Sequence, residues 1–125
     1  MRDPRDPKYR ERKAHEQHRR CYYCGFPMWS KHPEGFARHW GISLKEAERF
    51  HCTCEHLLAR CDGGTSRFGN IVAACRFCNS HRHLRATAPS PERYRDLVQK
   101  RVAKFAWHHP RMHRMLGKKH MGASA

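Results

Sequence analysis

Apolar residues along this chain come in short runs that are separated by long polar stretches. Residues 1–20 are almost wholly polar, and we expect a flexible arm that becomes helical just before Cys21. Weak apolar–polar alternation over residues 51–58 predicts a strand, and the apolar run that ends at residue 74 predicts a second short strand from residue 70. A helix over residues 76–86 is predicted to follow. The turn signal Asp-Gly-Gly lies between the two strands.

Capping signals place two further helices. Ser43 and Glu46 have the spacing of a capping box, which predicts a helix over residues 44–50. Ser90 and Pro91 are suited to the N-cap and the first position of a helix. That helix carries an apolar stripe, for which we expect core packing, at Tyr94, Val98, Val102 and Phe105. The tail beyond Pro110 has no clear pattern, and we expect it to be frayed.

Composition indicates one small domain that needs additional stabilisation. The chain has 125 residues, of which 38% are hydrophobic, and seven are cysteine. A core this small requires extra cross-links or a charged partner. The apolar runs are too short for a membrane span, and the polar N-terminus lacks the apolar segment of a signal peptide. We therefore expect a cytoplasmic protein, in which clustered cysteines are metal ligands more often than disulfides.

The positive charge lies mainly in the two flanks of the chain. The net charge is +15. Residues 1–20 hold eight basic and four acidic side chains, residues 21–81 hold seven and five, and residues 82–125 hold eleven and two. Such asymmetry favours a polyanionic partner, most simply nucleic acid. The basic side chains expected to bind it are Arg82, Arg85, Arg95, Lys100, Arg101 and Lys104.

Two Cys-x-x-Cys pairs, Cys21–Cys24 and Cys75–Cys78, predict one structural zinc site. Each pair can supply one edge of a tetrahedron of four thiolates. An ion there would pin the N-terminal segment to the helix after the second strand. The remaining cysteines, Cys52, Cys54 and Cys61, are interpreted as small buried or half-exposed residues, with a second zinc site that includes His51 as the less favoured alternative.

Between and after these pairs lie residues whose chemistry suits phosphodiester hydrolysis. His56 can act as a general base near neutral pH, and the adjacent Glu55 offers a hard oxygen ligand for a divalent cation. On a strand these two side chains point to opposite sides. Asn79 and His83 share one helix face, which could complete the metal site with Glu55.

The order of these motifs resembles the HNH endonuclease family. The resemblance covers residues 21–86 and rests on Glu55-His56, Gly63-Gly64, Asn70 and the Cys75-x-x-Cys78-Asn79 segment. It implies an α+β fold built on a small ββα-metal finger, similar to a treble clef, with flanking helices and a four-Cys zinc site. By resemblance His56 is the general base, Asn70 orients it and ties down the loop, and Glu55, Asn79 and His83 hold one catalytic divalent ion, Mg²⁺ or another.

We therefore expect three segments: a basic arm over residues 1–20, an HNH nuclease domain over residues 21–86, and a basic helix and tail over residues 87–125. The predicted function is metal-dependent hydrolysis of DNA, with no membrane and no small-molecule substrate evident. The protein is expected to be a monomer or dimer, with room for a protein partner. Two alternatives stay open: a non-catalytic, zinc-stabilised nucleic-acid-binding module, and a protein-protein adaptor that uses Trp29, Trp40 and Trp107.

Overall fold

A two-stranded antiparallel sheet lies at the centre of the fold. The computed structural model describes residues 5–59, 62–84 and 86–117. Its strands are β1 (Cys52–His56) and β2 (Ile71–Cys75), with Cys52 opposite Cys75 and His56 opposite Ile71. The helices are α1 (Asp6–Glu16), α2 (Pro33–Trp40), α3 (Leu44–Ala47), α4 (Arg76–Arg82), α5 (Pro91–Ala103) and α6 (Pro110–Met112). This is the small α+β architecture that the sequence predicts.

Both strands and the helix after them lie where the sequence patterns place them, within a few residues. All five residues of β2 are buried, because the strand is covered by neighbouring elements, and α4 begins directly at its end. Short 3₁₀ turns, Glu48–Phe50 and Phe68–Asn70, precede the two strands.

The N-terminal helix α1 begins at Asp6, well before the helical turn predicted just before Cys21, and packs against both strands. Ala14 is its buried contact residue. Just beyond the helix, the Gln17 side chain donates to the carbonyl oxygen of Ala73 at 2.8 Å and accepts from the Ala73 amide at 3.0 Å. These two hydrogen bonds satisfy the backbone amide and carbonyl of Ala73, which could otherwise pair with a third strand. The segment expected to be an arm is thus part of the core.

The predicted capping box is confirmed. Ser43 Oγ accepts from the Glu46 amide at 3.0 Å, and the Glu46 carboxylate accepts from the Ser43 amide at 2.8 Å. Ile42 and Ala47, on either side of the cap, are both buried. The helix is shorter than predicted because its last turn tightens into the 3₁₀ turn that leads to β1.

The stripe on α5 is confirmed at three of its four positions. Tyr94, Val98 and Val102 are buried, and the Ser90 hydroxyl accepts from the Arg93 amide as the predicted N-cap. Phe105 departs from the stripe because the helix ends at Ala103 and Phe105 itself has φ +56°. The residue is 43% exposed.

The prediction of a frayed tail beyond Pro110 is wrong for its described part. Helix α6 and a π-helical turn, His113–Gly117, bury Met112, His113 and Leu116. Two apolar residues and a histidine spread over two short, differently wound turns give no recognisable period, which is why the pattern fails here. Among the described residues, no helix is long and apolar enough to cross a bilayer.

Helix α2 has no counterpart among the predicted elements, although its ends carry sequence signals. Pro33 occupies the first turn, and Gly41 adopts the left-handed conformation, φ +70°, just past its last residue. Proline at the start and glycine after the end are the usual asymmetry of helix termini. Both signals are visible in the sequence at Pro33 and Gly41.

Candidate metal centre and the cavity beside β1

The sulfurs of four cysteines lie close together at the end of β2. Cys21 and Cys24 come from the turn after α1, and Cys75 and Cys78 come from the end of β2 and the first turn of α4; all four are buried and their sulfurs lie within 4.8 Å of one another. Cys24 Sγ and Cys75 Sγ are 3.9 Å apart, close to the edge of about 3.8 Å that a tetrahedral Zn–S distance of about 2.3 Å requires. This buried four-Cys cluster could hold a zinc ion.

The polar groups around the cluster are arranged to stabilise thiolates. Cys21 Sγ accepts from the amides of Tyr23 at 3.4 Å and Cys75 at 3.3 Å. Cys78 Sγ accepts from the indole Nε1–H of Trp107 at 3.3 Å. Amide and indole donors aimed at sulfur offset the negative charge that zinc ligands carry. The donor set therefore fits Zn²⁺.

Ionisation of the four thiols also favours a bound cation. Burial raises the pKa of Cys24 and Cys78 well above the usual range. Burial also opposes ionisation of Cys21, but hydrogen bonds from the other three cysteines outweigh it and lower its pKa. Ionisation of Cys24 and Cys78 in these surroundings therefore requires a compensating positive charge, which coordination by Zn²⁺ supplies.

The turns on both sides of the cluster follow from the sequence. Gly25 has φ +75° and its amide donates to the Cys21 carbonyl at 3.0 Å, which closes the first knuckle. Cys75 is the N-cap of α4, and its sulfur accepts from the Cys78 amide at 3.5 Å. Each Cys-x-x-Cys pair thus folds back on itself, as the spacing predicts.

On the α4 side of β1, Glu55 is enclosed by three partners. Its carboxylate is only 1% exposed. One oxygen accepts from Arg82 Nη1 at 3.1 Å and from the Tyr23 hydroxyl at 2.9 Å, and the other lies 2.9 Å from His83 Nε2. Arg82 also donates to the carbonyl oxygens of Leu57 and Pro89. The carboxylate therefore joins β1 to α4 and to the first knuckle.

The predicted catalytic ligand set is only partly assembled. His83 does reach Glu55, whereas Asn79 contacts β1 elsewhere: its Nδ2 donates to Thr53 Oγ1 at 3.0 Å and to the Cys54 carbonyl at 3.3 Å. However, both Glu55 oxygens are engaged and a buried guanidinium stands 3.1 Å away. A divalent cation on Glu55 would have to displace Arg82, so these residues, as arranged, do not fit the ion that the resemblance implies.

His56 faces the opposite side of β1 from Glu55, as predicted. It lines a cavity of about 780 Å³ together with Cys54 on the same strand. The wall is completed by α1 and α4; lining residues include Asp6, Arg10, Arg76 and Asn79. The cavity thus brings together His56, Asn79 and two arginines from different helices.

Two residues fix the geometry around His56. Ser66, which is buried, places its Oγ 3.0 Å from His56 Nε2. Asn70 holds the intervening loop: its Oδ1 accepts from the Leu58 amide at 2.8 Å, and its Nδ2 donates to the carbonyl oxygens of Leu58 and Thr65 at 3.1 and 2.7 Å. Asn70 therefore ties down the loop, as the resemblance implies, and makes its contacts with backbone.

The Gly63-Gly64 turn has a steric basis. Gly63 adopts φ +90°, and any Cβ on Gly64 would collide with the backbone of Leu58 and Ala59. A β-carbon at Gly64 would push apart the loop that Asn70 closes.

The basic residues predicted to contact DNA divide into three groups. Arg82 is 3% exposed and its guanidinium is committed to Glu55 and backbone carbonyls, so its predicted phosphate contact is not possible in this conformation. Arg85, and also Cys61, lie outside the described residues. Exposed positions on or just after α5 are occupied by Arg95, Lys100, Arg101 and Lys104.

The three tryptophans make internal contacts. Trp29 Nε1 donates to the Ala47 carbonyl at 2.7 Å, Trp107 reaches the cysteine cluster, and Trp40 packs against the core beside Phe36. Each tryptophan therefore takes part in packing within the protein.

Sequence reasoning missed three residues of these sites. Asp6 reaches the cavity from the segment interpreted as an arm, and Ser66 reaches the His56 ring from the predicted loop. No pattern in the sequence links either residue to His56. Tyr23 lies between Cys21 and Cys24 in the sequence. That position was the signal that could have identified it, because a tyrosine buried beside a metal site usually finds a hydrogen-bond partner for its hydroxyl. No family model, curated protein or solved structure matches this chain.

Proposed function

We propose that this protein is an HNH endonuclease that hydrolyses phosphodiester bonds in DNA, with His56 as the general base. One observation carries the proposal: His56 and Asn79, which stand at reactive positions by resemblance, line one cavity with Arg10 and Arg76. Chain order supports it too, since the ββα unit runs from His56 through the Asn70-anchored loop into a helix that starts with a zinc-type knuckle.

The residues present have complementary parts in such a reaction. A phosphodiester entering the cavity would place its anionic oxygens near the guanidinium groups of Arg10 and Arg76, which suit phosphate geometry. The imidazole of His56, oriented by Ser66, would accept the proton of an attacking water. Positive charge beside the phosphate stabilises the charge that develops in the transition state.

The resemblance also implies a divalent ion, Mg²⁺ or another, which would stabilise the phosphorane and the leaving oxygen. Since the Glu55 carboxylate is engaged by Arg82 and Tyr23, we assign no step to an ion held there. The zinc ion of the four-Cys cluster is proposed as purely structural, because its four ligands leave no open position.

A supercoiled-plasmid cleavage assay tests the proposal. Wild type, His56→Ala and the exposed-histidine control His39→Ala are compared in Mg²⁺, Mn²⁺, Ni²⁺ or chelator. We expect cleavage by wild type and His39→Ala, and a loss of about 100- to 10,000-fold in His56→Ala, the range for a positioned general base. DNA binding by His56→Ala should persist. Equal cleavage by His56→Ala and wild type would contradict the assignment.

The second candidate is a non-catalytic, zinc-stabilised nucleic-acid-binding module. The enclosure of Glu55 favours it, because a carboxylate that anchors a helix needs no catalytic role. Folded, zinc-loaded protein that binds DNA but cleaves with none of the ions would support the module.

A further inference from the structure

Three metal-type donors converge on the cavity side of β1, away from the four-Cys cluster. A carboxylate oxygen of Asp6, the sulfur of Cys54 and a ring nitrogen of His56 all lie within 4.8 Å of one another. Cys54 and His56 are two residues apart on β1 and therefore share a face. Asp6 is buried at the start of α1, so the packing of that helix on the sheet brings it to this point.

The donor set selects a class of metal. One thiolate, one imidazole and one carboxylate match ions of borderline softness such as Zn²⁺, Co²⁺ and Ni²⁺, whereas Mg²⁺ prefers a shell of oxygens. Three protein ligands leave a fourth position for water or an anion. That position would open into the cavity that Arg10 and Arg76 also line.

We propose that Asp6, Cys54 and His56 bind one transition-metal ion of the zinc, cobalt or nickel class, separate from the ion of the four-Cys cluster. Binding requires the Cys54 thiol to release its proton to solvent. The aspartate and the thiolate then balance the charge of the divalent cation. The two arginines that line the cavity disfavour a second cation and favour an anion at the open position.

The site goes beyond the proposed function and bears on it. An ion on the His56 ring withdraws the lone pair that a general base uses, so occupancy of this site and proton transfer by His56 compete. Excess Zn²⁺ is therefore expected to inhibit cleavage. This consequence rests on the proposed function, whereas the binding of the ion does not.

A cobalt titration without DNA tests the binding directly. Protein that carries one zinc ion per chain is titrated with Co²⁺ while bound zinc is measured, so that exchange at the four-Cys cluster is detected. We expect one equivalent of Co²⁺ to bind with retention of the zinc, and a thiolate-to-cobalt charge-transfer absorption to appear. The band should disappear in Cys54→Ser, and cobalt affinity should fall at least tenfold in Asp6→Asn.

Two control variants match these changes. Cys52→Ser alters another cysteine of β1, and Asp62→Asn alters an exposed carboxylate; both should keep the band and the affinity. Circular dichroism and zinc content establish that each variant is folded. If Cys54→Ser does not fold, the cobalt affinity of Asp6→Asn tests the proposal instead. Absence of a second bound equivalent, or a band that survives in Cys54→Ser, would overturn the proposal. Because no DNA is present, either result is independent of whether the protein cleaves DNA.

Discussion

Glu55 is interpreted as a metal ligand from the sequence and as part of a buried ion pair from the structure. In the sequence it precedes His56 and looks like a metal ligand, whereas in the structure its carboxylate accepts from Arg82 and Tyr23 and contacts His83. Burying a carboxylate to 1% exposure is costly unless charge and hydrogen bonds compensate it. Its partners supply that compensation, so the structure favours a stabilising role.

Replacing Glu55 by glutamine should therefore destabilise the fold strongly. The change keeps the shape but leaves the buried Arg82 guanidinium without its counter-charge, and breaking a buried pair costs about 3–5 kcal/mol. Urea unfolding, monitored by circular dichroism at neutral pH, measures the loss. The exposed carboxylate variant Glu48→Gln should remain within about 0.5 kcal/mol of wild type.

One experimental outcome would instead support Glu55 as a metal ligand. If Glu55→Gln unfolds at the same urea concentration as wild type but no longer responds to divalent ions, Glu55 acts mainly on the metal.

At the scale of elements, the C-terminal turns are held by neutral histidines. His108 Nδ1 accepts from Arg49 Nε at 2.9 Å, and His113 Nε2 accepts from the amides of Trp107 and His108 at 3.2 and 2.8 Å. A ring nitrogen that accepts cannot carry a proton. Burial, with Arg49 adding to it, lowers the pKa of His108 to about 3 and also lowers that of His113.

This packing predicts that stability falls as the pH drops below about 6.5. An unfolded histidine binds its proton near that pH, whereas folded His108 resists protonation down to about 3. Between the two values the unfolded state holds more protons, so acidification favours unfolding. The contribution of His108 is complete above pH 6.5 and decreases steadily below it.

The variant His108→Gln isolates this effect, since glutamine can still accept from Arg49 but does not titrate. Between pH 7.5 and 5.5, wild type should lose about 1 kcal/mol more unfolding free energy than the variant. Parallel pH profiles for the two proteins would show that His108 does not remain neutral in the folded state.

The same elements show where sequence patterns are informative. Strand β2, the Ser43 cap and the α5 stripe were predictable because each depends on local chemistry or a regular period. Helix α1 was placed too late, since its burial rests on one alanine in an otherwise polar segment. The site was predictable around His56 and the four cysteines, but Asp6 and Ser66 reach it only through tertiary packing.

For the whole molecule, the four-Cys cluster joins segments that are far apart in sequence. It fastens the turn after α1 to β2 and α4. Structural zinc contributes about 10–16 kcal/mol in small zinc domains, as much as the total stability of about 5–15 kcal/mol typical of a domain. Removal of zinc with a strong chelator should therefore abolish the cooperative unfolding transition.

The variant Cys24→Ser should behave like the chelated protein, whereas Cys54→Ser should retain one zinc ion and a cooperative transition. A transition that persists unchanged after measured loss of all zinc would mean that the hydrophobic core suffices by itself.

The net charge of +15 leads to a prediction about salt. Displacement of cations from DNA makes the logarithm of the binding constant fall linearly with the logarithm of salt concentration, by about 0.9 for each neutralised phosphate. The exposed side chains of Lys100, Arg101 and Lys104 are candidates for such contacts. Substituting all three by alanine should reduce the slope by as much as about 3.

Binding to a short duplex between about 50 and 200 mM salt, followed by fluorescence anisotropy, gives this slope. Asp96→Asn provides a control of opposite sign, because Asp96 pairs with Lys100 at 3.2 Å and its loss frees positive charge, so affinity should rise slightly. An unchanged slope in the triple variant would exclude this face of α5 from the interface. The phosphate contacts would then have to come from elsewhere, with Arg10 and Arg76 beside the His56 cavity as the next residues to substitute.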